Sequence, residues 1–278
     1  MTDRAGRDAR DPLLPIFYIN LASRPDRREY MERQFAALNL NATRIEAVTA
    51  ADISSEDATL YCNSANPTFL RRNELACTRS HERAWHAILD GGYTAALILE
   101  DDAELSPLLP AFLAEAAAVD AELIRIETTG SRMRVFPVIS TGPSGVSVRP
   151  FRSTPMGAAG YILRASALDK LLGNPELRRR HLDLALYNPF EQPGASLSRV
   201  VTDPALCRQL GLDDHAMHGI GRSDIAHDLV PHVYAEKHPL GFRWFKFRTG
   251  LGKGLRNVID DFAQRSKGLE RRVIPFRS

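Results

Sequence analysis

The chain has 278 residues, of which 44% are hydrophobic and 25% are charged, and its formal net charge is +2. This predicts one main globular domain with an appendage, and neither the charged first dozen residues nor the longest apolar run, residues 95–99, suggests export or a membrane span. The three cysteines are widely separated, which excludes a zinc knuckle and a redox motif.

The N-terminal part of the chain predicts a strand followed by a helix. Residues 1–12 are expected to be a flexible terminus, whereas residues 13–21 form a continuous apolar run typical of a strand that is buried on both faces. Ser23 offers a helix N-cap and Pro25 suits an early helical position, so we expect the first helix to begin there.

The next part of the chain repeats this order. A strand is predicted over residues 43–48, and the polar residues 50–66 are expected to form a loop. Apolar residues at helical spacing predict a second helix over residues 74–90, which a glycine pair ends. The apolar run at residues 95–99 is then the next strand.

The remaining elements of the main domain are shorter. We predict a helix over residues 106–120, a strand over 122–127, a loop with a short strand inside over 140–160, and a helix over 166–172. The alternation of strands and helices predicts an α/β fold over residues 13–236, with a mostly parallel central sheet flanked by helices.

The C-terminal segment, residues 237–278, differs in charge from the rest of the chain. It contains eleven Lys or Arg and three acidic residues, so it carries +8 while residues 1–236 carry −6. Aromatic residues and cations alternate over 242–248, and apolar residues follow at helical spacing. This predicts a basic amphipathic helical tail that contacts an anionic membrane surface, or a helix folded back on the domain. The acidic body argues against binding of nucleic acid.

Three consecutive carboxylates, Glu100, Asp101 and Asp102, directly follow the strand at residues 95–99. Open α/β sheets bind their ligands at the carboxyl ends of strands, and in extended geometry Glu100 and Asp102 share one face. Carboxylate oxygens suit Mn²⁺ or Mg²⁺, so we predict a metal site with Glu100 and Asp102 as ligands. The alternative is an acidic turn that caps a helix.

A basic group lies at the first turn from strand to helix, where Asn20 is followed by Arg24, Arg27 and Arg28. Free N–H groups at a helix start, together with guanidinium groups, favour a phosphate or another anion. The alternative is a basic helix face in contact with solvent.

Ser80 and His81 lie inside the second predicted helix, where His81 shares a face with Trp85 and Ile88. This pair is a third candidate for the site. The alternative for His81 is a hydrogen-bonded histidine of the core.

Four blocks of sequence occur in order within about residues 14–225. They are residues 19–28 with Asn20 and the arginines, residues 74–85 with Ser80 and His81, residues 97–102 with the acidic triplet, and residues 160–172. Together they resemble glycosyltransferase family 25, the sugar transferases of lipopolysaccharide and lipooligosaccharide, which are related to collagen galactosyltransferases. Residues 49–50 are Thr-Ala where the family usually has Asp-Gly.

The resemblance implies a nucleotide-sugar-binding domain of the GT-A type, a UDP-sugar donor, Mn²⁺ or Mg²⁺, and inversion at the anomeric carbon. The sugar implied is a hexose, galactose or glucose, and the acceptor is a hydroxyl of a cell-surface glycan such as lipopolysaccharide core. The lack of an export signal predicts a cytoplasmic location, and the basic tail predicts peripheral attachment at the inner face of the cell membrane. The implied donor-binding residues are Asn20, Arg24, Arg27, Arg28, Ser80, His81, Glu100 and Asp101.

Transfer to a hydroxyl also requires a group that accepts its proton. Asp183 is our candidate, because it is the lone acid in the apolar run at residues 182–186 and matches a family position, although weakly. The alternative is that Asp183 caps a helix or pairs with the arginines at 178–180. Asp102, as a metal ligand, is the second predicted catalytic residue.

Two other functions remain open from the sequence. A metal-dependent phosphodiesterase or nucleotidyltransferase would use the same acidic cluster, but it would not need the blocks at residues 19–28 and 160–172. A catalytically degenerate relative would bind glycan or act as a scaffold. The intact acidic cluster favours an enzyme over the degenerate relative.

Overall fold

The computed structural model describes residues 14–210 and 232–278. The prediction of a flexible N-terminus at residues 1–12 falls outside these residues. Within the described ranges, no helix combines the length and the apolar character needed to cross a membrane.

The strands and helices have the following bounds. The strands are β1 (Ile16–Asn20), β2 (Thr43–Glu46), β3 (Ala95–Glu100), β4 (Ala103–Leu105), β5 (Leu123–Arg125), β6 (Glu127–Thr128), β7 (Arg132–Val135), β8 (Ser140–Thr141), β9 (Ser147–Pro150), β10 (Gly160–Arg164), β11 (Arg199–Asp203), β12 (Cys207–Gln209) and β13 (Glu270–Val273). The helices are α1 (Pro25–Ala37), α2 (Ser55–Tyr61), α3 (Arg72–Asp90), α4 (Leu109–Glu115), α5 (Ala165–Leu172), α6 (Leu182–Tyr187), a short helix at Val233–Lys237 and the C-terminal helix (Pro239–Gln264).

The centre of the molecule is an eight-stranded sheet in the order β2-β1-β3-β10-β5-β11-β9-β8. All of its strands run in one direction except β10 and β9, which are antiparallel to their neighbours. The prediction of an α/β fold with a central sheet flanked by helices is therefore confirmed. Six of the eight strands share one direction, but β10 and β9 make four of the seven pairings antiparallel.

Both faces of this sheet are covered, which explains the continuous apolar runs of β1 and β3. Leu97 and Leu99 of β3 belong to one buried cluster with Met31 of α1. Ile98 points to the other face and belongs to a second cluster with Trp85 of α3. Each large apolar side chain that is buried in this way contributes roughly 1.5–3 kcal/mol to folding.

The parallel strands β1 and β3 end at the same edge of the sheet, because Ile19 pairs in register with Glu100. This places Asn20 beside the acidic triplet. The chain then enters β4, which belongs to a three-stranded sheet in the order β4-β12-β6. That small sheet brings Gln209 to Asp102, with Nε2 3.3 Å from Oδ2.

The loop expected over residues 50–66 is wrong, because α2 occupies Ser55–Tyr61. The side chain of Ser54 caps this helix by accepting a hydrogen bond from the backbone N–H of Asp57 at 3.0 Å. Glu56 and Asp57 lie in the first turn, where the helix dipole favours negative charge. Over residues 140–160, two strands form instead of one, and β8 and β9 extend the central sheet.

The C-terminal segment contains the expected helix, Pro239–Gln264, but it does not remain separate from the body. Its strand β13 pairs with β7 in antiparallel register, and Ile274 is buried. Thr128 Oγ1 donates a hydrogen bond to the carbonyl oxygen of Ile274 at 2.8 Å. The N–H of Ala205 donates one to the carbonyl oxygen of Pro275 at 2.9 Å. The end of the chain is thus built into the domain, whereas the boundary at residue 237 stays a prediction.

Candidate active site

A cavity of about 400 Å³ lies at the carboxyl ends of β1 and β3. The acidic triplet forms part of its wall, together with the first turn of α1 and the inner face of α3. The predicted site residues that line the cavity are Arg24, Arg27, Ser80, His81, Glu100, Asp101 and Asp102. The structure therefore brings most of the predicted residues together from three separate segments of the chain.

Asp101 links the first strand and helix to the acidic triplet. Its Oδ2 accepts a hydrogen bond from Asn20 Nδ2 at 2.8 Å, and its Oδ1 accepts one from Arg27 at 2.8 Å. Arg27 also reaches Asp102 Oδ2 at 3.2 Å, and all of these side chains are buried. Asp101 and Asn20 thus hold the site in shape, and Arg27 places a positive charge directly beside two carboxylates.

Glu100 and Asp102 are held in an environment that disfavours two negative charges. Burial raises the pKa of Glu100 to about 7, and the neighbouring Asp101 carboxylate adds to the shift. Burial, followed by the charge of Glu100, raises the pKa of Asp102 to about 6. Asp102 Oδ1 is buried and accepts no hydrogen bond from the described residues. A divalent cation would satisfy this oxygen and remove the repulsion, so these residues fit Mn²⁺ or Mg²⁺.

A second donor set shares Glu100. Cys77 Sγ, His81 Nε2 and Glu100 Oε1 lie within 4.8 Å of one another. Sulfur and nitrogen ligands suit zinc, but metal binding requires a thiolate, and burial raises the pKa of the Cys77 thiol well above its usual range. The oxygen pair of Glu100 and Asp102 stays the predicted metal site.

Both ring nitrogens of His81 are occupied by protein groups. Nδ1 lies 2.8 Å from Tyr161 Oη and Nε2 lies 3.1 Å from Glu100 Oε1. Tyr161 Oη also accepts a hydrogen bond from Trp85 Nε1 at 2.9 Å. Burial lowers the pKa of His81 to about 3, so the ring is neutral at physiological pH. His81 therefore matches the alternative given above, a hydrogen-bonded histidine of the core. Its contact with Glu100 orients that side chain at the cavity wall.

Ser80 stabilises one part of the cavity wall through hydrogen bonds to the backbone. Its Oγ donates to the carbonyl oxygen of Ala76 at 2.8 Å and accepts a hydrogen bond from the N–H of Val48 at 2.8 Å. Val48 precedes Thr49 and Ala50, which line the cavity at the position where the resemblance expects Asp-Gly. Ser80 therefore fixes the backbone of this part of the wall.

The arginines of α1 divide into two groups. Arg24 lines the cavity and pairs with Asp26 at 2.9 Å, and Arg27 is buried. Arg28 lies on the outer side of the helix, where its side chain is 51% exposed and pairs with Glu32. The structure does not bring Arg28 to the cavity, and a basic helix face in solvent describes its position. Of the predicted basic group, Arg24 and Arg27 therefore line the cavity.

Asp183 lies in the first turn of α6, outside the lining of the cavity. Its Oδ2 accepts a hydrogen bond from the N–H of Gly157 at 3.3 Å, and its Oδ1 accepts one from that of Leu184 at 2.7 Å. It does not pair with Arg178, which binds Glu82 at 2.8 Å. Burial raises the pKa of Glu100, and the negative charge of Asp183 adds a smaller contribution in the same direction.

Comparison with known proteins identifies the family. The model of glycosyltransferase family 25 (LPS biosynthesis protein) matches residues 13–181. The chain belongs to glycosyltransferase family 25. The residues matched include β1, α1, α3 and the acidic triplet, which together form the cavity wall.

Relatives in family 25 match only part of the chain. Procollagen galactosyltransferase 1 of Danio rerio is 31% identical over 109 residues, which are 36% of this chain and 17% of that protein. The inactive glycosyltransferase 25 family member 3 of Homo sapiens is 25% identical over 178 residues, which are 59% of this chain and 29% of that protein. The chain therefore corresponds to less than a third of the length of these relatives.

Solved structures are also similar to this chain. One of them is the crystal structure of a glycosyltransferase involved in the glycosylation of the major capsid of PBCV-1, with 13% identity and a TM-score of 0.41. The match covers 74% of this chain and 98% of that one.

Glu127 of this family 25 chain was not among the predicted site residues, although Ala159 connects it through hydrogen bonds to the acidic triplet. Its side chain is fully buried, pairs with Arg125 at 3.1 Å and accepts a hydrogen bond from the N–H of Ala159 at 3.0 Å. Burial raises the pKa of Glu127 to about 7, and the charges of Glu100 and Asp102 add to the shift. The signal was present, because Glu127 ends a predicted strand in the same way that Glu100 ends β3.

Glu127 also explains the requirement for glycine at position 157. Gly157 has a φ of +82°, and a Cβ there would lie 2.6 Å from Glu127 Oε1. Arg125 holds the same turn, because it donates to the carbonyl oxygens of Met156 and Gly157 at 2.8 and 2.7 Å. The turn that donates its N–H to Asp183 is thus attached to the buried Arg125–Glu127 pair.

We expect Gly157→Ala to destabilise the protein more than Gly145→Ala. Both glycines have positive φ, and a side chain there costs about 1–2 kcal/mol of backbone strain, but Gly145 has no atom within 4 Å of the added Cβ. The clash with Glu127 adds about 1–3 kcal/mol at Gly157. Denaturant unfolding of both variants measures the difference, and equal losses of stability would contradict the proposed contact.

Proposed function

We propose that this family 25 chain transfers a hexose, galactose or glucose, from a UDP-sugar to a hydroxyl of a cell-surface glycan such as lipopolysaccharide or lipooligosaccharide core, with inversion. The observation that carries the proposal is Asp102 Oδ1, a buried carboxylate oxygen without a hydrogen-bond donor among the described residues. It lies beside Glu100 in the wall of a cavity that Arg24 and Arg27 also line. An acidic pair next to guanidinium groups suits a metal-bound diphosphate.

In the proposed mechanism, Glu100 and Asp102 hold Mn²⁺ or Mg²⁺, which when bound supplies positive charge that stabilises the departing diphosphate. Arg27 keeps Asp101 and Asp102 in place through its two ion pairs. Arg24 adds a guanidinium group at the start of α1, where free N–H groups also favour phosphate. The acidic pair and the two arginines thus bind and orient the donor.

Asp183 is the proposed general base. The acceptor oxygen forms a bond to the anomeric carbon while the bond from that carbon to the diphosphate oxygen breaks, and UDP leaves with the electron pair of that bond. The hydroxyl proton passes to the Asp183 carboxylate. The N–H groups of Gly157 and Leu184 orient this carboxylate. General-base help of this kind contributes about a hundredfold to ten-thousandfold to the rate.

The proposed location is the cytoplasm, at the inner face of the cell membrane, where a glycan acceptor on a lipid anchor would be presented. The segment 237–278, with a charge of +8, is the proposed attachment to an anionic surface. The chain would then bind the same membrane surface that carries its acceptor.

One experiment separates this function from its two alternatives. The purified chain is incubated with a panel of UDP-sugars and a glycolipid acceptor, with Mn²⁺, with Mg²⁺ or with EDTA, and the nucleotide and glycan products are identified. The proposal requires metal-dependent release of UDP together with a glycosylated acceptor. Release of UMP would identify a phosphodiesterase, and binding of UDP without turnover would identify a degenerate relative.

The two arginines of α1 provide a matched test of donor binding. We expect Arg24→Ala to weaken binding of UDP about tenfold or more, because a charge-assisted hydrogen bond contributes about 1.5–3 kcal/mol. Arg28→Ala removes the same charge from the outer side of the helix and should leave the affinity unchanged. Isothermal titration calorimetry with UDP and metal measures both. Equal weakening by the two variants would mean that Arg24 acts through long-range electrostatic attraction and not through a direct contact with UDP.

A further inference from the structure

The C-terminal helix exposes its apolar side to solvent. Apolar residues recur every three or four positions on one face, which we call the outward stripe, and the side chains are between 59% and 83% exposed. The stripe consists of Leu240, Trp244, Phe247, Leu251, Leu255, Val258 and Phe262. Amphipathic helices of globular domains normally bury such a face in the core. This apolar surface is therefore larger than packing among residues 14–210 and 232–278 explains.

The opposite side of the same helix attaches it to the body through polar contacts. Asp260 is buried between Arg134 and Arg152, and Arg152 Nε donates to its Oδ1 at 2.8 Å. The Arg256 guanidinium lies 4.3 Å from the ring centre of Phe190. At 100° per residue, Asp260 lies opposite Leu251 on the helix. The alternative in which the apolar face packs on the domain is thus not what the structure shows.

The charge around the outward stripe is positive. Residues 239–259 contain no acidic side chain, and Arg243 and Arg248 lie on opposite sides of the stripe. Arg243, Arg248 and Arg265 form no ion pair with any acidic group in the described ranges, unlike the arginines of the body. A partner that covers this surface must therefore be apolar at its centre and negatively charged at both edges.

We infer that the outward stripe is a docking surface for an anionic lipid bilayer. The apolar side chains lie among the headgroups and the first acyl carbons, and the flanking arginines lie near the phosphates. A second copy of the chain is a poorer occupant, because pairing two stripes would bring rows of arginines together without acidic partners. The inference rests on the proposed function for the lipid-anchored acceptor, but membrane binding is measurable without sugar transfer.

Two further observations agree with this occupant. The middle of the helix contains Gly250, Gly252 and Gly254, and an added Cβ at any of them would have no atom within 4 Å. Glycines lower helix stability in water, so we expect the helix to gain order when its stripe is covered. The helix also contacts Phe190 and Glu191, which follow α6 and Asp183. The helix that would lie on the bilayer is thus attached to the segment that follows the proposed general base.

The test uses the full chain and vesicles of phosphatidylcholine with or without phosphatidylglycerol. We expect sedimentation with the anionic vesicles at low salt and release at 1 M salt, where the Debye length falls to about 3 Å. The variant Phe247→Glu/Leu251→Glu should weaken binding about tenfold or more, because it places acids in the centre of the stripe. Ile139→Glu is the matched control, since Ile139 is 56% exposed outside the helix.

Each outcome decides the inference. Binding that is equal for the stripe variant and the wild-type chain, or no binding to anionic vesicles, overturns it. Concentration-dependent dimerisation that the stripe variant abolishes, without vesicle binding, assigns the surface to a second copy. Circular dichroism with vesicles should show a gain of helix in the wild-type chain but not in the stripe variant. UDP release is measured in parallel without vesicles, so failure of the proposed function and failure of this inference give different results.

Discussion

Asp102→Asn is expected to abolish metal-dependent transfer while the fold is retained. Asn preserves the size of the side chain but removes one of the two carboxylates that would hold Mn²⁺ or Mg²⁺. Loss of the charge stabilisation that a bound metal supplies is worth several kcal/mol, which corresponds to roughly a thousandfold or more in rate. Affinity for Mn²⁺, measured by titration calorimetry in the presence of UDP, should fall together with release of UDP.

Stability of the metal-free protein provides the first control for this variant. The folded pKa of Asp102 is raised to about 6 from 3.8, so the folded state holds its proton more tightly than the unfolded state does. Stability therefore falls as the pH rises from about 4 to about 6, and at neutral pH the Asp102 charge opposes folding. Asp102→Asn removes this charge, so its melting temperature at pH 7 should not lie far below that of the wild-type chain.

Glu104→Gln is the matched variant, because it removes an acid two positions away that pairs with Arg208 outside the cavity lining. It should keep both metal affinity and transfer. Full activity of the wild-type chain in EDTA would refute the metal site. Equal loss of transfer in Glu104→Gln would mean that the acidic segment acts through general charge.

Much of the fold was predictable from the sequence because local patterns and tertiary packing agree. The strands β1 and β3 are continuous apolar runs, and the sheet is indeed covered on both faces. The helix α2 was missed because its burial is slight and its main signals are the Ser54 cap and two acids. The strand β13 was missed because its pairing with β7 depends on contacts more than a hundred residues apart.

The candidate site was predictable to the extent that its residues carry a local signal. The acidic triplet and Arg27 were found because they end strands or begin helices, and the structure joins them through Asp101. The outer position of Arg28 was not predictable, since adjacent helix residues point in different directions and the sequence does not say which one faces the cavity. The contacts of His81 with Tyr161 and Glu100 required the antiparallel strand β10, which no local pattern indicates.

Asp183→Asn is expected to lower kcat for transfer by about a hundredfold or more, with little change in the affinity for UDP or Mn²⁺. The physical reason is that Asn cannot accept the proton of the acceptor hydroxyl. Its side-chain oxygen can still accept a hydrogen bond from the N–H of Leu184, so α6 should begin as before. Steady-state kinetics with the glycan acceptor and calorimetry with UDP measure the two quantities separately.

The control for this variant is Asp169→Asn, the same change at an exposed position of α5. It should leave kcat and the melting temperature unchanged. If Asp183→Asn keeps its kcat, then Asp183 only orients the Gly157 turn and another group accepts the proton. If instead it loses affinity for UDP and Mn²⁺ as Asp102→Asn does, then the charge of Asp183 acts on the metal site, consistent with its contribution to the raised pKa of Glu100. Only a fall in kcat with donor and metal binding retained assigns the proton transfer to Asp183, because binding and chemistry then separate at a single carboxylate.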